Sequence, residues 1–431
     1  MDERRMFDIT GEDVSLDEIG QALEKWLATF RLAGGKVLIL PPDYSRSMSQ
    51  AGPITAMLYK MLKPVCQVDI MPALGTHEAV SAEERLKMYG PEIPEESFIV
   101  HDWRNDVAEI GEVPSKYVRE ISAGRLDYPI KVQVNRRLID PSYSLIISVG
   151  QVVPHEVVGM ANYTKNVLVG CGGKDIIDKT HFLGAVYGLE AMMGKDHSPV
   201  RKVFDYAEEH FLRRMPLQYI LTVVEAAGGK AKIKGVFAGR ERAQFEKAVE
   251  LSVRENLNLL DEPLKKVVVY LDPEHYKSTW IGNKAIYRTR MAIADGGELI
   301  IIAPGVRHFG EDGLVDKLIR KYGYRGTDYT LERASREEDL KGSLSAAAHL
   351  IHGSSEGRFK VTYCPGKLSK EEIEGVGFAY MDCKEAMAKY DVTNLVPGMN
   401  RIEGGENVFF VSNPTLGLWA LKSRFEEASC Q

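Results

Sequence analysis

Apolar and polar positions along this chain alternate between two patterns, stretches with helical spacing and short unbroken apolar runs, and that alternation predicts an α/β fold. Residues 14–33 place apolar side chains at helical spacing and stop at Gly34-Gly35, where glycine can close a helix. KVLIL, from Lys36 to Leu40, is bounded by Gly and Pro and reads as a buried strand. Next come a helix over 53–63 opened by Pro53, a strand in VDIMPAL, and a helix in SAEERLKMYG, where Ser81 and Glu84 have capping-box spacing. SFIVHDWRND reads as a strand carrying His101, KVQVNRRLID as a half-exposed strand, and SLIISVG as a buried one. Further on, helices are expected over 182–193 and 199–215, strands in LQYILTVVEA and KIKGVFAG, and an amphipathic helix in RERAQFEKAVELSVRENL.

At Asp261-Glu262-Pro263 the pattern breaks and then restarts. KKVVVYLD, a helix over 281–294 and GGELIIIAPG make a second βαβ unit. Helices over 311–323, 330–352 and 369–375, a strand in FKVTYCPG, a helix from Cys383 to Lys389 and a strand in ENVFFVSNP follow. The expectation is an N-terminal α/β domain over 1–260, a C-terminal α/β domain over 264–400, and a strand segment over 401–431 of unassigned domain. Both sheets should be largely parallel, with the active site in the cleft between the domains. A chain of 431 residues supports this division, because single cores stop growing near roughly 250–300 residues.

Composition narrows the class. With 44% hydrophobic and 27% charged residues the chain is an ordinary globular protein. No run approaches about 18 apolar residues, and the acidic start has no apolar signal-peptide core, so the expectation is a cytoplasmic protein without a membrane partner. A net charge of −6 with mixed signs argues against nucleic acid, and the oligomeric state stays open. Cys66, Cys171, Cys364, Cys383 and Cys430 stand singly, as reduced thiols do, with Cys171 expected to be buried. Neither GxGxxG after a strand nor GxxxxGK[ST] occurs, which leaves the common nucleotide folds without a motif.

Chemistry gathers at strand ends, where open α/β sheets bind ligands. Asp43-Tyr44-Ser45-Arg46 follows the first buried strand, and Arg46 could clamp a carboxylate with its fork of donors. Gly75-Thr76-His77 follows the next. The stretch from Leu145 to His181 brings His155, Lys165, Lys174 and His181 amid Gly159, Gly170, Gly172 and Gly173. Imidazole serves as base or metal ligand near neutrality, and a lysine in a part-buried turn can be a covalent anchor. Surface ion pairs and structural histidines fit the same residues. His210 falls on a charged face and reads as solvated.

DYSR at 43–46, GTH at 75–77, HEVVGMANYTK from His155 to Lys165, His181, and Lys284 in IGNKA resemble, in order and spacing, the nickel-dependent lactate racemase family. The resemblance covers most of the chain. It implies a two-domain α/β isomerase that holds a nickel-pincer nucleotide and inverts C2 of a 2-hydroxy acid. By position, Lys165 resembles the lysine that carries this cofactor and His181 the protein's nickel ligand, completing the square-planar geometry that Ni(II) accepts. His77 and His155 resemble the acid/base pair, and Arg46 and Lys284 the carboxylate clamp. Asp43, Tyr44 and Trp280 stand beside these residues as further substrate contacts. In such chemistry the hydrogen on C2 leaves as hydride, which avoids a carbanion, and each enantiomer needs its own base for the hydroxyl proton.

Departures from the family pattern bear on the substrate. MANYT precedes the anchor lysine where lactate enzymes are richer in Gly and Ser, and no bulky aromatic stands near Leu344 to Ala348. An acid larger than lactate, such as a gluconate-like sugar acid, fits these changes. Two other classes stay open: a zinc-dependent hydrolase using His77, His155 and His181, although their spacing matches no familiar zinc motif, and a cofactor-free binding protein of the same fold.

Overall fold

Short apolar runs become strands here because the sheets they join are covered on both faces. The computed structural model describes residues 5–227, 230–415 and 417–427, so Cys430 lies outside the described residues. The chain is α/β, with two compact units: Met1–Thr180 with Gly194–Asn256, and His181–Met193 with Leu257–Gln431. The division falls inside the helix Lys174–Tyr187, so His181 belongs to the second unit.

The first unit contains strands β1 (Phe7–Thr10), β2 (Lys36–Leu40), β3 (Gln67–Ile70), β4 (Val107–Val113), β5 (Ile130–Asn135), β6 (Tyr143–Gln151), β7 (Pro154–His155), β8 (Gly159–Met160), β9 (Leu217–Ala227) and β10 (Lys230–Gly239). Its main sheet runs β1-β10-β9-β6-β2-β3. Strands β3, β2, β6 and β9 are parallel, so their carboxyl ends share one edge. The chain goes from β2 to β3 on one side and returns to β6 on the other, which makes the β2/β6 gap the switch point where such sheets open a crevice. On one face Val37, Ile39, Leu145, Ile147 and Val149 pack against Ile19, Leu23 and Trp26 of the helix Leu16–Leu27 and Ile54 and Leu58 of the helix Ala51–Leu62. Leu23 is fully buried there, and cutting it to Ala would cost about 2–5 kcal/mol.

In the second unit the strands are β11 (Leu257–Leu260), β12 (Leu264–Tyr270), β13 (Ile293–Ala303), β14 (Lys360–Pro365), β15 (Ala379–Tyr380), β16 (Gly398–Arg401), β17 (Asn407–Val411) and β18 (Leu418–Leu421). The sheet order is β15-β14-β13-β12-β17-β16, parallel except for β16. ENVFFVSNP therefore lies in this sheet as β17, beside β12.

Five expected elements differ: the helix expected over 14–33 is Leu16–Leu27, capped at Ala28 well before Gly34-Gly35. SFIVHDWRND is not a strand: Phe98 makes one bridge to Ile70, and Asp102 then accepts from the amides of Arg104 and Asn105, closing a side-chain turn. The expected helix over 182–193 ends at Tyr187, turns at Gly188 with φ 113°, and resumes as Leu189–Met192. The expected helix over 281–294 is two short helices, Thr279–Gly282 and Lys284–Thr289, after which β13 begins. Residues 330–352 form three helices, Thr327–Arg336, Glu338–Lys341 and Leu344–His352, because Glu337 is extended and Gly342 ends the middle one.

Candidate active site

In the first unit the expected residues Asp43, Arg46, His77, His155 and Lys165 all follow the carboxyl ends of β2, β3 and β6. Just past β2, Pro42 still bridges Ala73 past β3, which brings the two following loops side by side. Asp43 caps the turn Tyr44–Ser49 by accepting from the Ser45 amide at 2.7 Å, and its other oxygen lies 2.7 Å from His77 Nδ1. An ionised carboxylate only accepts, so His77 carries its proton on Nδ1 and Nε2 is its basic atom. Asp43 is thus bound to His77 as well as to the turn it caps. Tyr44 packs against the apolar core.

His155 is primed the other way. It is buried at the end of β7, which pairs with β8 in a tight hairpin. The Val157 amide donates to His155 Nδ1 at 3.1 Å, so the neutral ring carries its proton on Nε2. Glu156 Oε1 lies 3.9 Å from that nitrogen. One imidazole offers a base at Nε2 and the other an acid.

Lys165 sits on the short helix Thr164–Leu168, whose other residues are buried while Lys165 is part-exposed. Asn166 fixes this helix over the switch point, donating to Leu40 O at 3.1 Å, at the end of β2, and to Ser148 Oγ at 2.9 Å, within β6. Ahead of it, Asn162 and Tyr163 both have positive φ, 66° and 56°. Asparagine tolerates that region, while a tyrosine there is strained and must be held. Tyr163 stacks on Phe245 at 5.0 Å and 12°, and its hydroxyl donates to Arg240 O. Arg201, fully buried, donates to Thr164 Oγ1, Met160 O and Asn162 O, closing the turn from behind. Burial pushes its guanidinium down to about 10. Beyond the helix, Gly170 O accepts from the Gly75 amide, and a Cβ on Gly170 would meet Asn166 O at 2.4 Å and Ala73 Cβ at 2.6 Å.

Residues 9–194 match the lactate racemase N-terminal domain. Over this N-terminal part the chain is similar to the lactate racemases. A Thermotoga maritima protein of known crystal structure is 25% identical to it, with a TM-score of 0.84 over 96% of this chain and 100% of that one. The lactate racemase apoprotein from Thermoanaerobacterium thermosaccharolyticum is 18% identical, with a TM-score of 0.67 over 97% of this chain and 96% of that one, a likeness of fold. No curated protein matches the sequence.

The other residues singled out in the sequence stand on further elements. Lys174 pairs with Asp178 one turn along its helix. Cys171 is fully buried, and burial pushes its thiol up, as suits a small hydrophobe. His101 is buried, with Nε2 3.0 Å from Gly172 O and Nδ1 3.1 Å from Asn135 Nδ2. Burial holds its imidazole below the ordinary value, partly offset by the Gly172 carbonyl. His210 is exposed, stacked on Tyr206. His181, Trp280 and Lys284 lie in the second unit, where Lys284 is buried at the start of its helix and Trp280 stacks on His349. Among the described residues no group of three or more His, Cys, Asp or Glu is arranged to hold a metal ion. No helix among them is long and apolar enough to cross a membrane.

Two residues of the candidate site escaped the sequence. Arg201 gave no local signal, because its contacts lie 37–41 residues back. Gln151 is a lone amide ending an apolar strand, and that position was a readable signal. It is 3% exposed, and its Nε2 meets no hydrogen-bond partner in the structure. Arg46 Nη1 and Ser45 Oγ are likewise buried and unmatched at the end of β2. Each buried orphan donor costs about 1–3 kcal/mol unless an oxygen arrives to accept from it.

Proposed function

We propose that this protein racemises or epimerises a 2-hydroxy acid, with His77 and His155 as the acid/base pair. The observation that carries the reading is their opposite priming, His77 by Asp43 and His155 by the Val157 amide. Inverting a carbinol centre in both directions asks for one group that takes the hydroxyl proton and one that returns it. Arg46 and Lys284 supply cations for the carboxylate.

The donor set fits the nickel-pincer nucleotide that the family implies. A part-exposed lysine on a buried helix suits a covalent anchor, and the orphaned donors of Arg46, Ser45 and Gln151 suit an oxygen-rich anionic group. A cofactor that brings its own donor atoms asks only one ligand of the protein, His181. Bound, it would supply the acceptor for the hydrogen on C2. The chain's own work is to hold the acid, to move the hydroxyl proton at Nε2 of each histidine, and to carry the anchor amine on a rigid turn. The absence of a bulky aromatic around Leu344 to Ala348 favours an acid longer than lactate.

The test is the protein produced with the cofactor's biosynthetic enzymes, its intact mass and absorbance, and a panel of enantiopure 2-hydroxy acids from lactate to gluconate-like acids. Added mass lost in Lys165→Ala, with loss of optical purity in one acid, is expected. A colourless zinc protein with hydrolase activity, or an unmodified protein that racemises nothing, would overturn the reading.

A further inference from the structure

In the second unit a buried histidine is held in three ways. His349, on the helix Leu344–His352, is 5% exposed. Its Nδ1 lies 2.8 Å from the Tyr287 hydroxyl, its Nε2 2.9 Å from the Tyr324 hydroxyl, and its ring stacks on the Trp280 indole at 4.4 Å and 27°. The bonds have a direction. Thr279 Oγ1 lies 3.1 Å from Phe309 O and must donate there, since two oxygens without a proton between them repel. It therefore accepts from the Tyr324 hydroxyl at 2.9 Å, and Tyr324 in turn accepts from His349 Nε2–H. The chain ends on a backbone carbonyl that also takes the Trp280 amide at 2.9 Å. On this side a proton would have nowhere to go, so the bonds through Tyr324 orient rings.

What it orients is Trp280. The indole is part-exposed, four residues before Lys284, and one of its faces is occupied by His349. On the same helix, the turn before His349 holds the small, buried residues Ser345, Ala346, Ala347 and Ala348. We infer that His349 is a positioning residue that pins the Trp280 indole flat against this helix and thereby sets the room left for the group on C2 of the substrate. The inference rests on the proposed 2-hydroxy acid reading. A loose indole would fall into that room, so the penalty should grow with the size of the C2 group and appear in binding, leaving the chemical step alone.

The experiment uses 5-fluorotryptophan-labelled full-length protein, whose four tryptophans give four fluorine signals, with Trp280→Phe assigning one. His349→Ala should displace the Trp280 signal and raise KM for the best long acid about tenfold, the worth of a stacked ring pair, with kcat little changed and lactate less affected. His349→Phe keeps the stack and should restore most of both. Should His349→Ala fail to fold, Tyr324→Phe, which removes the bond to Nε2, should move the same signal in the same direction. An unmoved Trp280 signal in the variants that fold, or an equal rise in KM for short and long acids, would overturn the inference. Wild-type protein inert toward every acid would instead fail the functional reading, and the fluorine signal, taken without substrate, would still decide whether His349 positions Trp280.

Discussion

Asp43 and His77, 34 residues apart in sequence, meet at 2.7 Å between Oδ2 and Nδ1 at the ends of two adjacent parallel strands. The carboxylate fixes which imidazole nitrogen keeps its proton. Asp43→Asn retains the cap on the Ser45 amide but can no longer require a proton on Nδ1. Activity should fall by about 10²-fold or more, within the range an acid/base group is worth, while the melting temperature holds. Steady-state kinetics with a thermal melt checks this, and unchanged kcat would separate Asp43 from the chemistry.

His101 gives the first unit a pH dependence. Its folded pKa is depressed by burial, so the neutral ring contributes stability that is present above the unfolded value of about 6.5 and is lost as pH falls through the lower folded value. Denaturant midpoints should drop between pH 7 and pH 5, and His101→Gln, which cannot titrate, should flatten the drop. Parallel slopes in the two proteins would assign the acid sensitivity elsewhere.

Gly170 cannot carry a side chain. A Cβ would enter the space of Asn166 O and Ala73 Cβ, so Gly170→Ala should destabilise by about 1–3 kcal/mol as an overpacked site does. The shift would push on both the His77 loop and the Lys165 helix, because the Gly75 amide bonds to Gly170 O. Chemical denaturation reads the first effect and intact-mass loading at Lys165 the second.

Asn162→Gly probes the strain ahead of Lys165, the proposed anchor. At φ 66° a glycine sits without steric penalty but brings more freedom to the unfolded chain, so the two effects should leave stability within about 1 kcal/mol. A loss well beyond that would mean that the asparagine side chain, whose Oδ1 accepts from the Tyr163 amide at 2.7 Å, is the main support of the turn.

Much of this was legible in the chain. KVLIL, SLIISVG and KKVVVYLD declared themselves as strands through composition alone, and Asp43, Arg46, His77 and His155 were flagged because each follows such a run. The family resemblance at 43–46, 75–77 and 155–165 agrees with the match over 9–194. Contacts between distant residues were out of reach. Nothing near Arg201 says that it reaches back to Met160, and nothing near Trp280 names His349 as its neighbour. The helix over 281–294 failed for another reason: its apolar spacing continues through Met291 into β13, and spacing alone cannot tell a buried helix from a buried strand.

The turn of Asn162 and Tyr163 bears on the order in which the protein and the proposed cofactor would come together. A glycine-rich anchor loop has many conformations to lose when a ligand captures it, and that loss weakens capture. Here an asparagine and a stacked tyrosine occupy the turn, and Arg201 ties it down from the buried side. The ordering is done during folding, before the proposed cofactor would be attached to Lys165. Amide exchange across 160–166 should therefore be as slow before loading as after, and the attaching enzyme would meet a lysine presented at one fixed angle.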